Sequence, residues 1–187
     1  MITGIQLCYS HAAKVRARSE ILFSSGLNVL IGPNGSGKST VLRALHECDQ
    51  CKKHIDGLPS HVYFNSETMN PHAPSGLPSN MRNMILRTRG VFSSHGEIMK
   101  VALTSIPLRK GETLLVDEPE AGQDMQSVRR IRQGFDAIIK QGGQVIAATH
   151  HPFMLHNANV IELSHGYAQE LRKAFCEFLC GTTDSKN

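Results

Sequence analysis

A glycine-rich segment lies between an apolar run, Leu27–Ile31, and a stretch in which Val41, Leu42 and Leu45 recur at helical spacing. Its sequence, Gly32-Pro-Asn-Gly-Ser-Gly-Lys-Ser-Thr40, fits the pattern G-x-x-x-x-G-K-S/T. Glycines let the backbone turn its N–H groups toward an anion, and the following helix adds the positive end of its dipole. The segment therefore predicts a phosphate-binding loop. Its place between a strand and a helix disfavours a glycine turn without a ligand.

Two side chains of this loop have specific predicted roles. Lys38 is expected to contact the β- and γ-phosphates of a nucleotide and to take part in catalysis, and the Ser39 hydroxyl is expected to bind Mg²⁺. The backbone and the remaining side chains complete the cradle. The predicted nucleotide-binding residues of the loop are Gly32, Pro33, Asn34, Gly35, Ser36, Gly37, Lys38, Ser39 and Thr40.

Adjacent carboxylates end a second apolar run, Thr113-Leu-Leu-Val-Asp-Glu-Pro-Glu120. In a P-loop fold such a strand lies beside the phosphate-binding loop, so Asp117 is predicted on the Mg²⁺ side. Glu118 is placed to polarise an attacking water, which predicts a hydrolytic site and not merely a nucleotide clamp. Acidic residues also follow strands as helix caps, but the presence of the phosphate-binding loop in the same chain favours the catalytic interpretation.

Strand-like and helix-like periods alternate along the chain, and this predicts an α/β fold with a mostly parallel central sheet and an N-terminal antiparallel β portion. The interpretation is one domain over residues 1–187. A closing helix should carry an apolar face of Leu171, Phe175, Phe178 and Leu179. Strands are predicted over residues 4–9, 14–23, 27–31, 61–64, 113–116, 144–149 and 159–163. Helices are predicted over 39–53, 79–89, 95–105, 125–140 and 167–179.

Composition and hydropathy argue against a membrane-spanning or exported protein and leave an anionic partner open. The chain has 20 Lys and Arg against 16 Asp and Glu, a small excess that permits an anionic partner without demanding one. No apolar run is long enough to cross a bilayer, and the start lacks the pattern of an export signal. The five cysteines, an odd number, fit a reducing compartment. We therefore expect a cytoplasmic protein without direct membrane insertion.

Together these motifs resemble the ABC-type ATPases from the early strands to about Pro152, and two further segments extend the resemblance. Ala121-Gly-Gln-Asp124 looks like the family's D-loop at the dimer interface, which implies a nucleotide-side role for Asp124. Ala148-Thr-His-His-Pro152 is similar to the switch motif, which places His150 at the γ-phosphate as a catalytic residue. A strand-end cap is the alternative for His150, and an unspecialised role is favoured for His151.

Three features resemble the family less closely. Ser93-Ser-His-Gly-Glu97 looks like a variant of the signature motif, with Ser94 and Gly96 in position to bind the γ-phosphate held by the opposite subunit, or else only capping a helix. Tyr9 lies where the family often stacks an aromatic ring on adenine, and core packing is equally favoured. The family's Gln-loop residue is missing, and Asn65 or Glu67 is its candidate substitute.

The resemblance implies an ATPase that uses ATP and Mg²⁺ and forms a homodimer on ATP binding. Because the stretch from Lys38 to Ser94 is short, a reduced helical subdomain is expected at about residues 65–105. The chain therefore looks most like the stand-alone ABC ATPases of the recombination, repair and chromosome-maintenance branch, with DNA and an unidentified protein as possible partners. The alternatives are the ATP-binding subunit of a membrane transporter and a nucleotide-dependent switch that acts on a protein.

Three weaker groups of residues favour ordinary structure over a functional site. His46, Cys48, Cys51 and His54 have ligand types suited to Zn²⁺, but four ligands within nine residues strain a tetrahedral site, so a helix end is the favoured interpretation. Arg129, Arg130 and Arg132 could contact nucleic acid phosphates, and a solvated helix face is favoured over that role. Cys176 and Cys180 are interpreted as packing residues.

Overall fold

Two β-sheets organise the chain in the computed structural model, which describes residues 1–15, 18–57, 60–65 and 110–180. A three-stranded antiparallel sheet has the order β2-β1-β4, and a five-stranded parallel sheet has the order β5-β6-β7-β3-β8. The strands are β1 (Ile2–Gln6), β2 (Glu20–Leu22), β3 (Leu27–Ile31), β4 (Lys52–Ile55), β5 (His61–Asn65), β6 (Thr113–Asp117), β7 (Gln144–Ala148) and β8 (Asn159–Glu162). The helices are α1 (Tyr9–Ala12), α2 (Lys38–Glu47), α3 (Met125–Lys140) and α4 (Tyr167–Cys180), with a 3₁₀ turn at Pro152–Leu155.

The central sheet is covered on both faces. Every residue of β3, β6 and β7 is buried, as expected for parallel strands between two layers. One hydrophobic cluster lies against α3 and includes Phe135, while the other lies against α2 and takes in Ile5 and Ile21 of the antiparallel sheet. The predicted mostly parallel central sheet and N-terminal antiparallel portion are therefore confirmed.

A buried side-chain amide joins the two sheets. Gln144 at the start of β7 accepts hydrogen bonds through Oε1 from the Ile2 backbone N–H (2.9 Å) and the Thr113 hydroxyl (2.7 Å). Its Nε2 donates to the carbonyl oxygens of Ile2 and Ser24, at 2.8 Å each. The amide is 1% exposed. A side chain with all four hydrogen bonds made fixes the position of β1 relative to the central sheet.

Replacing this amide is expected to cost much of the stability of the protein. Gln144→Ala leaves the Ile2 N–H and two carbonyl oxygens buried without their partner, so the free energy of unfolding should fall by about 3 kcal/mol. Urea unfolding of both proteins measures the change, with the exposed Gln169→Ala on α4 as control. Equal losses in the two variants would contradict the proposed role of Gln144.

Several predicted elements are confirmed, including the strands at β3, β5, β6, β7 and β8 and the helix α3. Other boundaries were wrong. The helix after the phosphate-binding loop ends at Glu47 because Cys48 is extended (φ −84°, ψ 117°), and β4 follows where helix was expected. The chain from Tyr9 to Ala12 is helical, and among the described residues of the second predicted strand, 14–15 and 18–23, only Glu20–Leu22 is strand.

The apolar face predicted for the closing helix is partly wrong. Leu171 and Phe175 are half-buried, but Phe178 is 83% exposed. The predicted helices over 79–89 and 95–105, and with them the reduced helical subdomain, lie outside the described residues. In the described ranges, every helix is too short or too polar to cross a bilayer.

Candidate active site

The phosphate-binding loop follows β3 and runs into α2. Gly37, just before the helix, has φ 96°, and an added Cβ would lie 2.7 Å from Val15 Cγ2, so glycine is required there. Lys38 is 5% exposed, and its ammonium donates to the carbonyl oxygens of Gly32 (3.0 Å) and Pro33 (3.3 Å). The lysine is therefore held across the loop, where it can transfer these hydrogen bonds to a phosphate.

A cavity of about 500 Å³ opens over this loop, within the usual range for small-molecule sites. The Ser36 hydroxyl is buried and has no hydrogen-bond partner among the described residues, which suits an anionic ligand at this point. The cavity is lined by Ala13, Lys14, Asn34, Gly35, Gly37, Lys38, Ser39, Thr40, Arg43 and Glu118. Ala13, Lys14 and Arg43 are wall residues that the motif analysis did not identify.

The pKa of Lys38 is lowered overall, as the balance of two opposing effects. Burial lowers the pKa of its ammonium, while the nearby carboxylates of Glu118, Asp117 and Glu120 raise it. A nucleotide phosphate would add more negative charge and so favour the protonated form further. The lysine can therefore supply a positive charge next to bound phosphate.

Ser39 and Asp117 meet as predicted for a Mg²⁺ site. The Ser39 hydroxyl donates to Asp117 Oδ1 at 3.0 Å. The other carboxylate oxygen accepts from the Asn65 amide (3.0 Å) and from the Tyr63 hydroxyl (3.5 Å). Hydroxyl and carboxylate oxygens are the ligands that Mg²⁺ prefers, so these two residues fit the ion. Asn65 lies opposite Asp117 in the β5–β6 register, while Glu67, the other Gln-loop candidate, lies outside the described residues.

Burial raises the pKa of the Asp117 carboxyl, helped by the nearby Glu118 and opposed by the hydrogen bonds from Ser39 and Asn65. Because the folded-state pKa is raised, this group stabilises the protein below its ordinary pKa, and that stability is lost as the pH rises through the raised value. A divalent cation would remove this electrostatic cost by binding the ionised form.

We expect Asp117→Asn to separate stability from metal binding. Without ligands, the stability of the variant relative to wild type should increase with pH through the raised pKa and level off in acid, where the wild-type carboxyl is protonated. The variant should also lose the stabilisation that wild type gains from MgATP. Urea unfolding across a pH series, with and without MgATP, measures both effects, and the surface variant Asp56→Asn is the control. A pH-independent difference in stability, or unchanged stabilisation by MgATP, would contradict this account.

Glu118 lies at the mouth of the same cavity in a strained conformation. Its φ is 49°, a left-handed value that costs a non-glycine residue about 1 kcal/mol, and its N–H donates to the Ala148 carbonyl at 2.9 Å. Strain of this kind persists where the surrounding structure enforces it and is common at functional sites. The side chain remains 38% exposed, so water can reach it.

His150 lies next to Glu118, with Nε2 at 3.7 Å from Glu118 Oε1. This nitrogen is buried and has no hydrogen-bond partner among the described residues. Glu120, which the motif analysis gave no role, holds the switch segment: its Oε1 accepts from the Thr149 hydroxyl (2.6 Å) and from the His150 N–H (2.7 Å). The His151 ring accepts from the Phe153 N–H and caps the 3₁₀ turn, an unspecialised role.

Two of the remaining predicted site residues, Tyr9 and Asp124, do not line this cavity. Tyr9 is 93% exposed at the start of α1, so its ring does not pack in the core. Asp124 caps α3 by accepting from the Ser127 N–H at 2.7 Å, and this hydrogen bond lowers the pKa of its carboxyl. Ser94 and Gly96 lie outside the described residues.

A parallel sheet with a phosphate-binding loop and an acidic strand end at one edge defines a P-loop NTPase. A family model described as an AAA domain matches residues 8–48, which contain the loop. The cytochrome c biogenesis ATP-binding export protein CcmA of Paracoccus denitrificans is 28% identical over 174 residues, covering 81% of this chain and 82% of CcmA. The DNA replication and repair protein RecF of Prosthecochloris aestuarii is 51% identical, but over 35 residues and 18% of the chain.

The fold agrees with a solved structure. The dimeric post-hydrolysis state of the ATP-binding cassette MJ0796 bound to ADP and Pi has a TM-score of 0.52 and 16% identity, and the match covers 79% of this chain and 85% of that one. The fold, the site and the relatives together show that this chain is similar to ABC-type ATPases, and they support ATP binding and hydrolysis.

Proposed function

We propose that this chain is the ATP-binding subunit of a membrane transporter, working on the cytoplasmic side as an ATP-sandwiched dimer, with residues 1–187 as one domain. The observation that carries the proposal is the extent of the match to CcmA, which runs over 81% of the chain. Other relatives that match most of the chain also have transporter names. The match to RecF is confined to a short part of the chain, about the length of a strand, phosphate-binding loop and helix.

Each described residue of the site has a separate role in hydrolysis. Lys38 and the loop N–H groups bind and orient the phosphates, and the ammonium balances their charge. Ser39 and Asp117 would hold Mg²⁺, which neutralises phosphate charge when it is bound. Glu118 orients the attacking water and accepts its proton, and His150, beside Glu118, contacts the γ-phosphate. Tyr9, exposed at the start of α1, stacks on adenine.

Closure and opening of the dimer are the proposed means by which ATP hydrolysis drives a membrane partner. Ser94 and Gly96 of one subunit bind the γ-phosphate held by the other, and Asp124 lies along the interface. Contacts made to the γ-phosphate from both sides favour the closed dimer, and they are lost after cleavage, so the dimer opens. A membrane partner that binds the two states differently would be driven by this cycle.

A role in DNA maintenance finds less support in the structure. Of the three arginines predicted as a basic cluster, Arg132 is only 8% exposed. It pairs with Asp136 and donates to the His156 carbonyl at 2.9 Å. The exposed cluster therefore reduces to Arg129 and Arg130, too few charges for strong phosphate-backbone binding.

The test is to express a tagged copy of the chain in its own host and to separate the cell contents by flotation. We expect the protein to float with membrane vesicles and to remain there in high salt, because it is bound through an integral protein. Its ATP hydrolysis should not respond to DNA. Absence from the membrane fraction, together with a turnover that duplex or single-stranded DNA stimulates and salt suppresses, would favour the DNA-maintenance function and contradict the proposal.

A further inference from the structure

Four sulfur and nitrogen ligand atoms gather where the N-terminus of α1 meets the C-terminal end of α2, and none of the four residues lines the cavity. Cys8 and His11 come from the start of α1, and Cys48 and Cys51 come from the turn between α2 and β4. Their ligand atoms all lie within 4.8 Å of one another. The Cys8 sulfur is 4.0 Å from the Cys48 sulfur and 3.0 Å from His11 Nδ1, and the Cys51 sulfur is 3.7 Å from the same nitrogen.

Two of these separations are close to those of a tetrahedral zinc site, and the third, from the Cys8 sulfur to His11 Nδ1, is shorter. With Zn–S bonds of about 2.3 Å and Zn–N bonds of about 2.0 Å, two sulfurs should lie about 3.8 Å apart and a sulfur and a nitrogen about 3.5 Å apart. We propose that Cys8, His11, Cys48 and Cys51 bind one structural Zn²⁺ ion. Binding releases the three thiol protons to the solvent. Because four protein ligands complete the tetrahedral coordination, the site has no open position for a catalytic water.

The sequence positions of the ligands also support a metal site. Each half is a pair separated by two residues, Cys8-x-x-His11 and Cys48-x-x-Cys51, which is a common chelating spacing in zinc proteins. The two pairs are far apart in the chain and are brought together by the contact between α1 and α2.

The constellation considered from sequence alone had the wrong histidines. His46 stacks on Tyr63 with ring centroids 4.9 Å apart, and its Nδ1 lies 3.1 Å from His61 Nε2. His54 lies on β4 opposite Gly4 of β1. Neither histidine belongs to the cluster, so the strain argument against four ligands within nine residues does not apply to it.

The surroundings of the cluster suit thiolates. The Cys8 N–H points at the Cys51 sulfur (3.3 Å), and the Ser10 hydroxyl lies 3.3 Å from the Cys8 sulfur. Hydrogen bonds from outside the ligand set orient metal ligands and stabilise their charge. Cys51 is 5% exposed and belongs to the core cluster on the α2 side of the sheet, so the site is anchored to the body of the fold.

The site would fix one wall of the nucleotide cavity. Between its two N-terminal ligands lies Tyr9, and directly after α1 come Ala13 and Lys14, which line the cavity. At the other end of α2, Lys38 and Ser39 form the phosphate-binding loop. A zinc ion would therefore tie the segment that carries Tyr9 to the helix that carries the loop.

The direct test is the zinc content of the purified full-length protein, measured by plasma mass spectrometry after purification without chelators. We expect about one zinc per chain in wild type and a loss of at least about tenfold in Cys48→Ser and Cys51→Ser. Cys176→Ser, His46→Ala and His54→Ala are the matched controls, and they should keep the metal. His11→Cys should keep it as well, because four thiolates also bind zinc, and this variant guards against loss through misfolding.

A spectroscopic measurement identifies the ligands. Cobalt added to the reduced, metal-free protein should give the visible bands of a tetrahedral thiolate site, and His11→Cys should shift them. No zinc in wild type together with no cobalt bands would overturn the proposal. So would zinc loss in His54→Ala equal to that in Cys48→Ser, or the finding of Cys8 and Cys48 joined as a disulfide in protein purified under reducing conditions.

Discussion

The Lys38→Ala protein is expected to bind MgATP at least about 100-fold more weakly than wild type. The buried ammonium crosses the loop to the Gly32 and Pro33 carbonyl oxygens and faces the cavity of about 500 Å³. Two charge-assisted hydrogen bonds to phosphate contribute about 1.5–3 kcal/mol each, so losing both weakens binding by two orders of magnitude or more. Titration with a fluorescent ATP analogue measures the affinity.

The matched control for Lys38→Ala is Lys173→Ala, which removes the same charge from a side chain that is 76% exposed on α4. This variant should bind ATP as wild type does. Far-ultraviolet circular dichroism on both variants shows whether the fold is retained. Similar affinities for wild type and Lys38→Ala would mean that ATP binds outside the phosphate-binding loop.

The Glu118→Gln protein is expected to bind MgATP but to hydrolyse it about 10²–10⁴ times more slowly. The glutamine side chain has the size of the glutamate side chain. The residue can keep the same left-handed backbone conformation, in which its backbone N–H donates to the Ala148 carbonyl. It cannot accept a proton from the attacking water. The γ-phosphate should then persist, and the closed dimer should accumulate.

Light scattering coupled to gel filtration measures this accumulation. Glu118→Gln should elute as a dimer in MgATP and as a monomer in MgADP, whereas Glu177→Gln, an exposed change on α4, should behave as wild type. A Glu118→Gln protein that remains monomeric in saturating MgATP would contradict the sandwich dimer while leaving ATP binding intact.

The centre of the site was predictable because its residues follow strand ends. In a parallel sheet the carboxyl ends of the strands share one edge, so a loop after β3 and carboxylates after β6 must lie near each other. The structure accordingly brings Ser39 to 3.0 Å from Asp117 and His150 to 3.7 Å from Glu118. The buried apolar runs gave the strands of the central sheet for the same reason, since their period is unambiguous.

Long-range pairings were not predictable in this way. The motifs do not indicate that Glu120 accepts hydrogen bonds from the Thr149 hydroxyl and the His150 N–H. The position of Glu120, two residues after Glu118, suggests only a general structural role. The Cys8 and Cys48 sulfurs meet because α1 packs on α2, and no helix was predicted at α1, where only Tyr9 fell in a predicted strand. A four-residue helix is too short to show a period.

The early end of α2 illustrates a different failure. Apolar residues stop at Leu45, but the following residues contain no glycine or proline before Gly57, so a helix was extended to 53. The chain instead leaves the helix at Cys48 and forms β4 against β1. Here tertiary pairing, and the cysteine cluster beside it, override a local preference.

Steady-state release of phosphate from ATP by the purified protein tests the central assignment most directly. Wild type should release phosphate in a Mg²⁺-dependent reaction, and Glu118→Gln, purified in the same way, should fall at least about 100-fold below it. Equal release by the two proteins, or no release by wild type under conditions in which it binds MgATP, would contradict hydrolysis at this site.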